Sequence, residues 1–366
     1  MPITVTRPSL PAYEEYIEEI KSIFENCQLT NSGPLHQKLE LALKNYLSVS
    51  QLALFVNGHY SLEAALQAMG IKKPNAEIIT TPFTFVSTAH AITRCGFKPV
   101  FCDIRSDNYT IDPQKIESAI TENTVAILPV HVYGNVCDVE AIEKIAYKHD
   151  LKVIYDGAHS FGVKYKGIGI GNFGDATAFS FHATKVFNTI EGGAVAFHDP
   201  KLVDVMCELR NFGLQNNEDV FYIGGNGKMD EFRAAMGLCN LRNIECSIKA
   251  RQVIAECYYS HLEGVSGIRL CIPVACETPN YSFMPVYFDS ERFGKSRDEV
   301  LEDLYKNHIH ARKYFYPPLN ELSCYKNDFS FYTPVSHDVS SHILALPIYD
   351  GITPDDVKLI CEIILR

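Results

Sequence analysis

Between residues 52 and 155 the chain alternates short apolar runs with stretches whose apolar residues recur at helical spacing. The runs cover 52–56, 77–81, 98–103, 125–130 and 152–155; between them stand 61–69, 87–95, a Pro113-led stretch through Ala119, and 139–149. The runs are rich in Val, Ile and Phe and do not alternate polar with apolar, as expected of strands buried on both faces. Parallel neighbours need a crossover, so this rhythm predicts an α/β fold: a mostly parallel sheet with helices on both sides. Ligands of such sheets lie beyond the carboxyl ends of the strands. Chemistry is therefore to be sought at the residues that end each run.

The rhythm changes after Asp156. Segments 176–181 and 193–197 read as strands, separated by a turn-rich stretch carrying His182, Lys185 and Gly192-Gly193. Residues 229–256 read as helical through Phe232, Ala235, Met236, Leu238 and Leu241. Beyond them a strand is expected near 283–288, with helices near 297–307 and 354–364. Thr353 suits the N-cap of the last helix, with Pro354 at its first position and Asp355 and Asp356 in its first turn. A chain of 366 residues outgrows one core. The predicted division is a large domain over 1–245, N-terminal segment included, and a smaller α/β domain over 246–366.

Composition narrows the function mainly by exclusion. With 46% apolar and 21% charged residues the chain is ordinary globular protein. Its 44 acidic against 33 basic residues give a net charge of -11, and no Lys/Arg run stands out, which argues against nucleic acid or an anionic membrane as partner. No stretch approaches the ~20 apolar residues of a membrane span, and the opening Met1-Pro2-Ile3-Thr4-Val5 has no basic-then-apolar pattern. A cytoplasmic protein is expected. Twelve cysteines are scattered without a C-x-x-C pair, and Cys95, Cys102, Cys207, Cys239 and Cys361 sit within apolar runs. Buried free thiols are expected, with no metal site and no disulfide framework.

Two segments carry chemistry. Asp156, in Tyr155-Asp156-Gly157-Ala158-His159, stands at a carboxyl strand end. Ser180 ends the next strand, and Lys185 follows in a turn between apolar runs rather than on a polar face. A lysine and a carboxylate at one crevice are what pyridoxal phosphate (PLP) demands. The lysine condenses with the aldehyde, and the carboxylate keeps the pyridine nitrogen protonated so that the ring accepts electrons. The phosphate needs backbone N–H groups and hydroxyls, preferably at a helix N-terminus. Asn57-Gly58-His59-Tyr60-Ser61 leads from the first strand into a helix and offers such a cradle, with Ser180 as a second donor. Phe85, in Pro82-Phe83-Thr84-Phe85, lies past another strand end, where its ring can lie on the cofactor.

These blocks resemble the DegT/StrS-type nucleotide-sugar aminotransferases, PLP enzymes of fold type I. The likeness runs from Leu29-Thr30-Asn31-Ser32-Gly33-Pro34 through Pro129-Val130-His131-Val132-Tyr133-Gly134 and Ser180-Phe181-His182-Ala183-Thr184-Lys185 to Leu346-Pro347-Ile348-Tyr349. The resemblance implies Lys185 as the covalent lysine, Asp156 against the pyridine nitrogen and His159 near the ring's phenolic oxygen. It also implies Ser180 on the phosphate, Phe85 on the ring, and Asn226 reaching the phosphate held by the neighbouring subunit of a homodimer. Two departures stand out. Gly58-His59 replaces the usual Gly-Thr, leaving the phosphate to backbone N–H groups, Ser61 or His59. Gly157 stands where alanine is commoner, a change expected to cost little beyond backbone stiffness.

The implied reaction moves an amino group from L-glutamate to a nucleotide-linked keto-deoxy sugar. Segments 130–134 and 311–317 look most like enzymes that convert dTDP-4-keto-6-deoxy-D-glucose to dTDP-4-amino-4,6-dideoxy-D-glucose for O-antigen or other surface polysaccharide. Arg312, Tyr314 and Tyr316 are then candidates for the nucleotide or its phosphates. Alternatives are amination at C3 of a dTDP-3-keto sugar and a non-catalytic ligand sensor on the same scaffold. Related dehydratases replace the lysine by histidine, and Lys185 is present.

Overall fold

The computed structural model describes residues 2–215, 219–326 and 332–366. Seven strands form the central sheet: β1 (Gln51–Phe55), β2 (Glu77–Thr80), β3 (Lys98–Phe101), β4 (Thr124–Leu128), β5 (Lys152–Asp156), β6 (Ala176–Ser180) and β7 (Gly193–Phe197). Their order is β1-β7-β6-β5-β4-β2-β3. Only β7 runs antiparallel to its neighbours; the other pairs are parallel. This is the expected mostly parallel, mixed sheet. Every residue of β2 and β7 is buried, as the unalternating runs require.

Successive side chains of β1 feed two different cores, in keeping with the two-residue period of a strand. Leu52 and Leu54 join Leu39, Leu43, Ala235 and Leu238, under helices Tyr13–Asn26, Pro34–Leu47 and Glu231–Arg242. Ala53 and Phe55 join Leu62, Leu66, Ile92 and Leu209 on the other face. The helical stretch read over 229–256 is two helices, Glu231–Arg242 and Ile244–Leu262, divided at Asn243, whose backbone (φ -109°, ψ 5°) is not helical.

A further core gathers Ile254, Tyr258, Val286, Phe288, Leu304, Leu344, Val357 and Ile360. It lies on a three-stranded antiparallel sheet in which Met284–Phe288 pairs with both Ile268–Leu270 and Ile343–Leu346. Helix Pro354–Leu365 closes it, with Thr353 and Asp356 forming the capping box at its start. The N-terminal segment, expected with the large domain, also contacts the C-terminal part. Ile3–Thr4 pairs in parallel with Ile309–His310, Ile3 packs on the C-terminal core, and the Val5 carbonyl accepts from Ile348 N at 3.1 Å.

No described helix is long and apolar enough to cross a membrane. All twelve cysteines are free. Of the five in apolar runs, Cys102, Cys239 and Cys361 are buried as expected and Cys95 and Cys207 are only half-buried. Cys137 is also buried, whereas Cys27, Cys246, Cys276 and Cys324 are exposed and correct the expectation of buried thiols.

Candidate active site

The carboxyl ends of β1, β5 and β6 open on one cavity of about 460 Å³, lined among others by Asn57, Gly58, His59, Phe85, Asp156, His159, Ser180 and Lys185. Its remaining wall includes Thr6 from the N-terminal segment and Phe283, Tyr314 and Phe315 from the C-terminal part. Residues more than 120 positions apart along the chain therefore meet here, as the sequence reading of Gly58, Asp156, Ser180 and Lys185 required.

Asp156 ends β5 and is 4% exposed. One carboxylate oxygen accepts from Thr88 Oγ1 at 2.8 Å and the other from Ala158 N at 3.0 Å. Burial nonetheless raises its pKa, outweighing those bonds and the nearby Lys185. A buried carboxylate in this condition is short of a cation. Lys185 sits in the turn after β6, where its own N–H donates to the His182 carbonyl at 2.9 Å. Burial lowers its pKa to about 8, with Asp156 pulling the other way.

His159 is 6% exposed. Its ring lies parallel to Phe315 (centroids 5.9 Å, interplanar angle 2°) and 4.8 Å from the Phe283 centroid. Tyr133 N donates to Nδ1 at 3.0 Å, which assigns the proton of the neutral ring to Nε2. Burial, and then Lys185, hold its pKa well below the usual histidine value. His159 thus offers the cavity an uncharged N–H donor.

Helix Gly58–Ala68 begins hard against Ser180. A Cβ on Gly58 would stand 2.5 Å from Ser180 Cβ and 2.9 Å from its Oγ, so glycine is what allows the approach. Asn57 caps the helix by accepting from Tyr60 N at 2.8 Å, and the first-turn amides remain for an anion. His59 is held on both sides, by Ser87 Oγ at 2.8 Å from Nδ1 and by Glu63 Oε1 at 3.3 Å from Nε2. Ser61 is fully buried and donates to the Asn57 carbonyl at 3.0 Å. It does not line the cavity, which removes it from the phosphate candidates and leaves the amides, Ser180, His59 and Ser87.

The other expected residues divide. Phe85 is 57% exposed on the cavity wall, its ring available for stacking. Asn226 is exposed and outside this chain's cavity. Arg312 and Tyr314 line a second cavity of about 680 Å³ that shares Thr6, Thr184 and Tyr314 with the first. Tyr316 lines neither; Arg297 and Lys313 lie 5.0 and 5.6 Å from its ring. Gly157 also needs a correction. A Cβ there would stand 2.8 Å from Thr177 Cγ2, so alanine would displace a packed methyl as well as stiffen the backbone. Sequence reasoning missed Thr88, Tyr133, Phe283 and Phe315. The one local signal was the spacing of Thr84 and Thr88, whose hydroxyls lie 3.0 Å apart just beyond β2.

PLP fits this donor set. Asp156, buried with a raised pKa, would suit a pyridinium N–H, the helix start with Ser180 suits a phosphate, and Lys185 on the same cavity is an amine of lowered pKa. Fold and site define a PLP-dependent aminotransferase of the type I fold. Residues 12–365 match the DegT/DnrJ/EryC1/StrS aminotransferase family, and the chain belongs to it. It is 42% identical over 364 residues to the dTDP-4-amino-4,6-dideoxy-D-glucose transaminase of Shigella dysenteriae, across 99% of this chain and 98% of that one. The Escherichia coli enzyme of the same name is 42% identical over 369 residues, with the same coverage. Among solved structures, DesI with its TDP-sugar product matches with a TM-score of 0.95 at 31% identity, over 100% of this chain and 93% of that one.

Proposed function

We propose that this protein transfers the amino group of L-glutamate to C4 of dTDP-4-keto-6-deoxy-D-glucose, giving dTDP-4-amino-4,6-dideoxy-D-glucose for surface polysaccharide. The observation that carries the chemistry is the convergence of Lys185, Asp156, His159 and Ser180 on one cavity. The sugar rests on the likeness over 99% of the chain to transaminases named for that product.

Bound PLP supplies an aldehyde that captures amines and a ring that takes up the electrons of an adjacent carbon. Asp156 would hold a proton against the ring nitrogen, and His159 would be the donor to the phenolic oxygen through Nε2–H. The Lys185 amine, its pKa lowered by burial to about 8, is the residue that would hold the aldehyde and would move the proton at the donor's α-carbon. Arg312 and Tyr314 line the adjoining cavity, and the nucleotide end of the acceptor would extend there. Asn226 serves the partner's site in a homodimer. Support for that reading is its exposure away from its own cavity, on a segment where Phe212, Val220, Phe221 and Ile223 are also exposed.

The test is an assay of 4-keto and 3-keto dTDP-6-deoxy sugars with glutamate, the products read by NMR. Formation of the 4-amino-4,6-dideoxy-D-glucose product with release of 2-oxoglutarate is expected. Amination of the 3-keto sugar alone overturns the assignment of the carbon. No glutamate-dependent bleaching of the cofactor's visible band overturns the transaminase reading itself.

A further inference from the structure

We propose that Asn280 is a positioning residue for His159, fixing which ring nitrogen faces the cofactor; this rests on the reading of His159 as the donor to the phenolic oxygen. Asn280 belongs to the segment just before Met284–Phe288, in the C-terminal part of the chain. It is 2% exposed, so its amide must find partners within the protein. Its Nδ2 donates to the carbonyls of His159 and Phe161, both at 2.9 Å, and its Oδ1 accepts from Ser282 N at 3.0 Å. Both amide donors are thus spent on the loop that follows Asp156.

The same side chain bears on the turn that orients the ring. Gly134 (φ 92°) lies so close that a Cβ there would stand 2.8 Å from Asn280 Oδ1 and 3.1 Å from the His159 carbonyl. The residue before it, Tyr133, gives His159 Nδ1 its backbone hydrogen bond. Three residues beyond Asn280, Phe283 packs against the His159 ring. One short segment therefore ties down the backbone of His159, abuts the turn that fills Nδ1, and packs on the ring. With Nδ1 filled, the neutral ring can only donate from Nε2. A loosened loop frees the tautomer and removes the guarantee of a donor.

The test uses the cofactor-loaded enzyme and the pH midpoint of its visible band, which reports on hydrogen bonding at the phenolic oxygen. Asn280→Asp keeps the shape and the bond from Ser282 N but loses both donations. The midpoint should rise by about one unit, because a lost donor leaves more charge on the oxygen to hold the neighbouring proton. PLP affinity of the apoprotein should fall about tenfold. In a His159→Ala background the same change should leave the midpoint where it was. A wild-type midpoint in Asn280→Asp overturns the proposal, and so does a further shift in the His159→Ala background. A wild-type protein with no visible band sinks the reading of the site as well. Independently of how any variant folds, nitrogen NMR of the wild-type apoprotein should place the His159 proton on Nε2, and a proton on Nδ1 ends the case.

Discussion

Lys185 and Asp156 show how burial, rather than charge alone, prepares the site. Each is disfavoured in its charged form by desolvation, which lowers the amine's pKa to about 8 and raises that of the carboxylate. Capture of the aldehyde needs the neutral amine. For a base with a lowered pKa the neutral fraction grows as pH rises through the folded value, here about 8, and not through the ordinary lysine value near 10.5. The rate of PLP capture by the apoprotein should therefore climb about tenfold per pH unit below 8 and level off above it. Stopped-flow absorbance gives this profile directly. A rate still climbing steadily between pH 9 and 10 would show that the cavity does not desolvate the amine.

At the scale of elements, what was legible depended on how local the cause was. The strands of the sheet, the crossover helices between them and the Thr353 cap were readable, because burial on both faces and capping chemistry each leave a mark within a few residues. Helices Tyr13–Asn26 and Pro34–Leu47 were not drawn from the sequence. The second is stabilised from afar. Glu231, 2% exposed, accepts from Leu35 N and His36 N at 2.8 and 2.9 Å and so caps a helix nearly 200 residues upstream. Gly33 makes room for it, since a Cβ there would stand 2.6 Å from the Glu231 carboxylate carbon. Asp156 and Lys185 were legible as strand-end chemistry; Thr88, Tyr133 and Phe283 were not, since their roles exist only once distant segments meet. Glu231→Ala should cost about 1.5–3 kcal/mol, the range for hydrogen bonds to a charged group. A lower urea midpoint with an unchanged cofactor spectrum is expected. A lost spectrum at full stability would place Glu231 in the site instead.

For the whole molecule, the cavity needs more than the central sheet. Residues 3–9 run from the C-terminal part, where Ile3–Thr4 pairs with Ile309–His310, past the cavity at Thr6, to Ser9, whose carbonyl accepts from Asn188 Nδ2 at 3.1 Å. One strap thus joins the two cores beside Lys185. Asn226, exposed on its own chain and outside its own cavity, is proposed to reach the phosphate end of the partner's site. Mixing variants separates action within a chain from action across the interface. Lys185→Ala should hold no covalent cofactor, and Asn226→Ala should hold it weakly. In a mixed dimer the Asn226→Ala chain keeps its lysine and receives an intact asparagine from its partner. After denaturation and joint refolding of equal amounts, about a quarter of all sites should regain wild-type PLP affinity, read as borohydride-fixed label on the Asn226→Ala chain. Retention that stays as weak as in Asn226→Ala alone would mean that the asparagine acts within its own chain, and the shared site would have to be abandoned.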